Sequence, residues 1–112
     1  MTLQDVIERL DLKVLTQPAN FSKVTPTGGY TSDLLSCVMA GAKKGAVWIT
    51  LQAHLNIVAV AALLEMSAII ITENAQPEAA TLNKANEEGV VLLATELPSF
   101  EVIGRLWEMG LR

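Results

Sequence analysis

Three short apolar runs, each closed by a threonine, recur through the chain: Ala46 to Thr50 (AVWIT), Ala68 to Thr72 (AIIIT) and Val90 to Thr95 (VVLLAT). Thr50, Thr72 and Thr95 are 22 and 23 residues apart. Runs of this length without alternating polar residues suit strands buried on both faces, and each spacing leaves room for one helix. The pattern therefore predicts a three-layer α/β fold, with a mostly parallel central sheet of four to five strands and right-handed crossovers through helices on both faces. The threonines then leave their strands along one carboxyl-terminal rim, the edge where open α/β sheets hold ligands.

The segments between and before these runs read as helices and edge elements. Thr2 can cap a first helix whose Leu3, Val6, Ile7 and Leu10 share one face, with Asp5 in the first turn. Leu12 to Thr16 reads as a strand and Gln17 to Ser22 as a loop. From Lys23 to Ser32 strand-forming residues are interrupted by Pro26, Gly28 and Gly29, the pattern of an irregular or edge strand. Asp33 to Lys43 has helical spacing, with Leu34, Leu35, Val38 and Met39 as its buried stripe, Thr31 or Ser32 as its cap and Gly45 as its stop.

The last three helical segments differ in polarity. The helix after His54 is apolar nearly all round (Ile57, Val58, Val60, Leu63, Leu64), as a central helix or one covered by another subunit would be. Pro77 opens an outer, solvated helix that ends at Gly89. Pro98 opens the last, with Phe100, Ile103, Leu106 and Trp107 expected against the core and Val102 and Met109 as apolar surface on other sides. That spillover predicts self-association, a homodimer being the simplest form.

Size and charge narrow the function. Residues 1–112 are enough for one domain, and 51% hydrophobic against 18% charged residues is a globular composition with apolar surface to spare. A net charge of −4 with scattered basic residues argues against nucleic acid and anionic membrane as partners. Ile57 to Leu64, the longest strongly apolar stretch, is far below the roughly 20 residues that span a bilayer. Met1 leads into an amphipathic charged segment rather than a signal peptide, and the lone Cys37 cannot form an internal disulfide. A cytoplasmic protein is expected.

Candidate chemistry gathers where the strands end. Thr50, Gln52, His54 and Asn56 bring a hydroxyl, two amides and an imidazole to the start of a helix, a setting that can grip a phosphate or carboxylate. The same groups can instead satisfy loop backbone and cap the helix. Gly28 and Gly29, followed by Thr31 and Ser32, would let a bound anion approach the backbone closely, or simply form a bulge before a capped helix. Thr72, Glu73 and Asn74, with Thr95 and Glu96, would line the same crevice, the acids facing a ligand amine or ribose hydroxyl or remaining solvated loop acids. Cys37 reads as a packed thiol, and both Trp48 and Trp107 as core or interface residues. One histidine and no cysteine pair make a metal site improbable, and no cofactor is expected.

The blocks YTSDLLSCVM, WITLQAHLNIVAVA and FEVIGRL carry a family likeness. From about Val24 to Leu111 the chain resembles the DRTGG domain family, especially its small stand-alone members. These domains accompany CBS domains in regulated pyrophosphatases and occur in phosphotransacetylases, and their fold is similar to the N-terminal domain of HPr kinase. The resemblance implies a self-associating α/β module with a regulatory or assembly role and no established reaction. Gly29 and Tyr30 stand where the family's Asp-Arg element would fall, and Thr72, Glu73 and Asn74 where relatives show Thr-Gly-Gly. GxxxxGK[ST], the phosphate loop of the catalytic HPr kinase domain, is absent.

Together these readings lead to a non-catalytic, homo-oligomeric module that binds a small anion such as an adenine nucleotide at the rim. The alternative is an adaptor or assembly domain for a partner enzyme, without a small ligand. An enzyme using His54 as general acid or base ranks third, since no activated nucleophile or paired acid accompanies it.

Overall fold

In the computed structural model, which describes residues 1–112, each threonine-ended run becomes a strand of one five-stranded sheet. The elements in chain order are α1 (Leu3–Leu10), β1 (Lys13–Val14), a 3-10 turn (Phe21–Lys23), β2 (Gly29–Thr31), α2 (Leu35–Gly41), β3 (Val47–Thr50), α3 (Asn56–Leu63), β4 (Ala68–Ile71), α4 (Ala79–Glu88), β5 (Leu92–Ala94) and α5 (Ser99–Glu108). Strand order is β1-β5-β4-β3-β2. Strands β2 to β5 are parallel and in register, Ile49 beside Ile70 and Ile70 beside Leu93, while the two-residue β1 runs antiparallel to β5. The segment from Lys23 to Ser32 does supply an edge strand, but only its last part is extended.

Alternation along the strands sorts side chains between two cores. Val47, Ile49, Ala68, Ile70 and Leu93 face α1 and α5, packing against Leu3, Val6, Leu10, Val102 and Leu106. Trp48, Ile69, Ile71 and Leu92 face the other way, against Val38 of α2, Ile57, Val58 and Ala61 of α3, and Ala85 of α4. The chain steps steadily across the sheet from β2 to β5 with α2, α3 and α4 on one face, and α1 and α5 cover the other. All residues of β3 and β4 are buried, which is why their sequences are uninterrupted apolar runs.

Helix ends follow local chemistry. Thr2 Oγ1 accepts from the Asp5 N–H (3.2 Å) while Asp5 Oδ2 accepts from the Thr2 N–H (2.8 Å), a closed capping box. The Thr2 backbone N–H, and after it the Thr2 hydroxyl beside the carboxylate, hold the Asp5 carboxyl below its ordinary pKa of 3.8. Gly89 ends α4 at φ 68°, a left-handed conformation that glycine adopts without strain.

Two helices present different faces from those the spacing suggested. Leu34 precedes α2 in an extended conformation, so the inward stripe is Leu35, Val38 and Ala42, leaving Leu34 61% exposed and Met39 and Cys37 on the surface. Cys37 is thus not a packed thiol. Neither Thr31 nor Ser32 is the N-cap of α2, and the helix stops at Ala42 before Gly45 is reached. In α5 the buried residues are Val102 and Leu106, whereas Phe100 and Trp107 are 89% and 57% exposed. Phe100 and Trp107 lie on the side away from Val102, roughly 140–160° around the axis. α3 does sit centrally, between α2 and α4, with Ile57, Val58, Val60 and Ala61 buried and Leu63 exposed.

Candidate functional site

Parallel register brings Thr50, Thr72 and Thr95 to the ends of adjacent strands, so the shared rim exists. What organises it is Asp33, between β2 and α2. Asp33 Oδ1 accepts from the buried Thr50 Oγ1 (2.7 Å) and from the Leu51 N–H (2.9 Å). Thr50 Oγ1 in turn accepts from the Gln52 N–H (3.0 Å), and Gln52 Nε2 donates to the Asp33 carbonyl (3.2 Å). One carboxylate therefore closes the loop after β3. Sequence spacing had placed Asp33 in the helix that follows, and nothing local in the chain marks it as the partner of Thr50.

His54 lies on the same loop and Asn56 opens α3. Asn56 N–H donates to His54 Nδ1 (3.1 Å), so the imidazole satisfies the first turn of α3. Thr81 Oγ1 of α4 donates to the Ala53 carbonyl (3.1 Å) and pins the loop from the outside. The Thr50 hydroxyl, the Gln52 amide nitrogen and His54 Nδ1 are engaged internally, and both His54 and Asn56 are exposed.

After β4 the pattern repeats. Thr72 is fully buried, its Oγ1 sharing a 2.5 Å hydrogen bond with Ser99 Oγ at the start of α5. Glu73 Oε2 accepts from the Ser99 N–H (2.9 Å), which caps α5 and places the acid at the positive end of the helix dipole. Glu73 and Asn74 both have left-handed backbone, φ 60° and 57°, and their N–H groups donate to the Leu97 and Thr95 carbonyls. The turn after β4 thus takes, with Glu-Asn, a conformation that glycine favours.

Ser32 joins the rim as well, its carbonyl accepting from Trp48 Nε1 (2.9 Å) and its Oγ from the Leu34 N–H (3.1 Å). Gly28 and Gly29 do not. Gly29 pairs with Val47, the first residue of β3, which puts both glycines at the opposite, amino-terminal edge of the sheet. Strand direction separates the two glycines from Thr50: only the residues after Tyr30 reach the carboxyl rim.

A cleft of about 560 Å³ opens at the outer end of the rim, where β1 meets β5. Asn74 and Gln76 line it from the turn after β4, Thr95 and Glu96 from the end of β5, Asp11 and Lys13 from the α1–β1 junction, and Arg105 from α5. Gln76 Nε2 donates to both the carbonyl and Oδ1 of Asn74 (3.1 Å each), and Arg105 pairs with Glu101. Of the residues singled out from the sequence, Asn74, Thr95 and Glu96 line this cleft, whereas Thr50, Gln52, His54, Asn56, Thr72 and Glu73 do not. Lys13, Gln76 and Arg105 were missed because they reach it from three separate elements. No group of three or more histidine, cysteine or acidic side chains is placed to hold a metal ion, and no helix is long and apolar enough to cross a membrane.

No family model matches the chain, and no curated protein matches it significantly. Among solved structures it is similar to the CBS and DRTGG domains of the regulatory region of Clostridium perfringens pyrophosphatase, a structure complexed with the activator diadenosine tetraphosphate. Identity is 17% and the TM-score 0.70, over 94% of this chain and 45% of that one. The chain thus spans about half the length of that neighbour. With strand order, helix placement and this likeness in agreement with the sequence blocks, the chain is, by fold, a DRTGG-like α/β domain.

Proposed function

We propose that this protein is a non-catalytic regulatory or ligand-sensing module, a cytoplasmic homodimer that binds a small anionic ligand such as an adenine nucleotide at the carboxyl rim of its sheet. The observation that carries this reading is the cleft beside Asn74, within the roughly 300–1,000 Å³ range of small-molecule sites. Lys13 and Arg105 supply positive charge for a phosphate, while Asn74, Gln76 and Thr95 offer the donors and acceptors that read a base or sugar. Further along the rim, Gln52, His54 and Asn56 keep polar atoms free to meet a longer ligand, on a segment held by Asp33, Thr50 and Thr81. The solved neighbour, a regulatory region complexed with a dinucleoside polyphosphate, supports the ligand class.

Thermal unfolding with a panel of adenine nucleotides tests the reading. A ligand at one hundred times its Kd adds about 2.7 kcal/mol, and Lys13→Ala should weaken the affinity about tenfold, which lowers that gain to about 1.4 kcal/mol at the same ligand concentration, while leaving the ligand-free transition in place. No stabilisation by any nucleotide at millimolar concentration would remove the sensing role. A second reading, an adaptor that recruits a partner enzyme, is favoured by the exposed Leu34, Leu63, Phe100 and Trp107.

A further inference from the structure

Strand direction separates Gly28 and Gly29 from the rim, and at the far edge they border a second cleft, of about 370 Å³. Its walls include Gly28, Gly29, Gly41, Lys43, Lys44 and Arg112. Three of the chain's eight basic residues therefore meet in one concavity of a molecule whose net charge is −4, and no acidic side chain lines it. We infer that this cleft is an anion site for a small multivalent phosphate, distinct from the rim cleft and independent of the function proposed for it.

Each cation is available for such a ligand. Lys43 takes part in no ion pair. Lys44 bonds Glu65 at 2.8 Å, but both side chains are largely exposed, where an ion pair is weak and an incoming anion competes for the ammonium. Arg112 stacks over Trp107 (5.1 Å to the ring centre) and donates through Nε to the Trp107 carbonyl (3.2 Å), which orients the guanidinium and leaves its terminal nitrogens unengaged.

The backbone of the cleft is set in advance. Thr27 N–H donates to the Gly45 carbonyl and Thr27 Oγ1 to the Lys44 carbonyl (2.8 Å), tying the turn that carries both lysines to the glycine segment. Gly45 holds that turn at φ 82°, and a Cβ there would lie 2.8 Å from the Thr27 side chain. A Cβ on Gly28 would approach the Arg112 backbone oxygen to 3.2 Å, so glycine lets the two segments close together. Because β2 is the edge strand, alternate N–H groups of Gly28 to Thr31 face outward without a ladder partner. Basic residues from two segments, the α2–β3 turn and the stretch after α5, around so small a space suit an anion with more than one charged centre.

Amide NMR of the full chain, titrated with inorganic tripolyphosphate at constant ionic strength in sodium chloride, tests the assignment. Saturable shifts should centre on Gly28, Gly29, Lys43 and Lys44. Affinity should fall at least tenfold in the double variant Lys43→Ala, Arg112→Ala, and stay within twofold in Lys13→Ala and in Lys84→Ala. Lys43 is exposed and unpaired, so the single variant Lys43→Ala keeps its fold and should already lose several-fold. Shifts centred on Lys13 and Asn74, uniform weak shifts at every lysine, or equal affinity for citrate would each overturn it.

Discussion

Asp33 ties the rim loop to the segment between β2 and α2. Its Oδ1 meets both the Thr50 hydroxyl and the Leu51 N–H, and Thr50 is only 1% exposed. Removing the acceptor leaves the proton of a buried hydroxyl without a partner, a loss of about 1–3 kcal/mol. Asp33→Ala should lower the unfolding free energy in urea by that amount and speed hydrogen exchange at the Leu51 amide, while Asp33→Asn, which keeps one oxygen, should recover part of the loss. An unchanged exchange rate would show that the loop is held by Gln52 and Thr81 alone. His54, the most conspicuous polar residue of the chain, turns out to serve its own helix through Nδ1.

Individual helices show which local rules are strong enough to read from sequence. The Thr2–Asp5 capping box was legible because its partners are three residues apart, and its effect on acid stability has a definite sign. The carboxyl pKa of Asp5 is lowered in the folded state, so its contribution is fully present above the ordinary value of 3.8 and is lost as pH falls through the folded value. Thr2→Ala should cost about 1 kcal/mol near neutral pH and flatten the acid limb of the stability curve below about pH 4, as measured by urea titrations at stepped pH. Helix α5 marks the limit of the same reasoning. Its apolar residues form two stripes, Val102 with Leu106 and Phe100 with Trp107, and the 3.6-residue period fits both equally. Contact with β3 and α1 selects the first.

The unselected stripe belongs to the molecule as a whole. Beside edge strand β2, Trp107 borders a further apolar groove of about 200 Å³ lined also by Ile103, Leu106, Leu111 and Ile49, and Phe100 lies about two turns away on the same face of α5 as Trp107. If the proposed dimer forms there, Phe100→Glu should convert it to a monomer in native mass spectrometry with little change in thermal stability, since Phe100 contributes nothing to the core. A dimer that survives the change would place the contact on the Leu34 and Leu63 side instead. A partner enzyme that co-purifies equally well with Gln52→Ala and His54→Ala variants would favour the adaptor reading. Across the molecule, the amino-acid sequence alone determined the alternation of strand and helix, the parallel sheet and the threonine rim, because these rest on apolar period and on caps a few residues long. Tertiary structure decided which stripe of α5 faces inward, that Asp33 closes the loop after β3, that Gly28 and Gly29 stand at the far edge, and that Lys13, Asn74 and Arg105 share a cleft. Those facts depend on strand order and strand direction, which bring together residues up to about 90 positions apart and leave no periodic trace in any one segment.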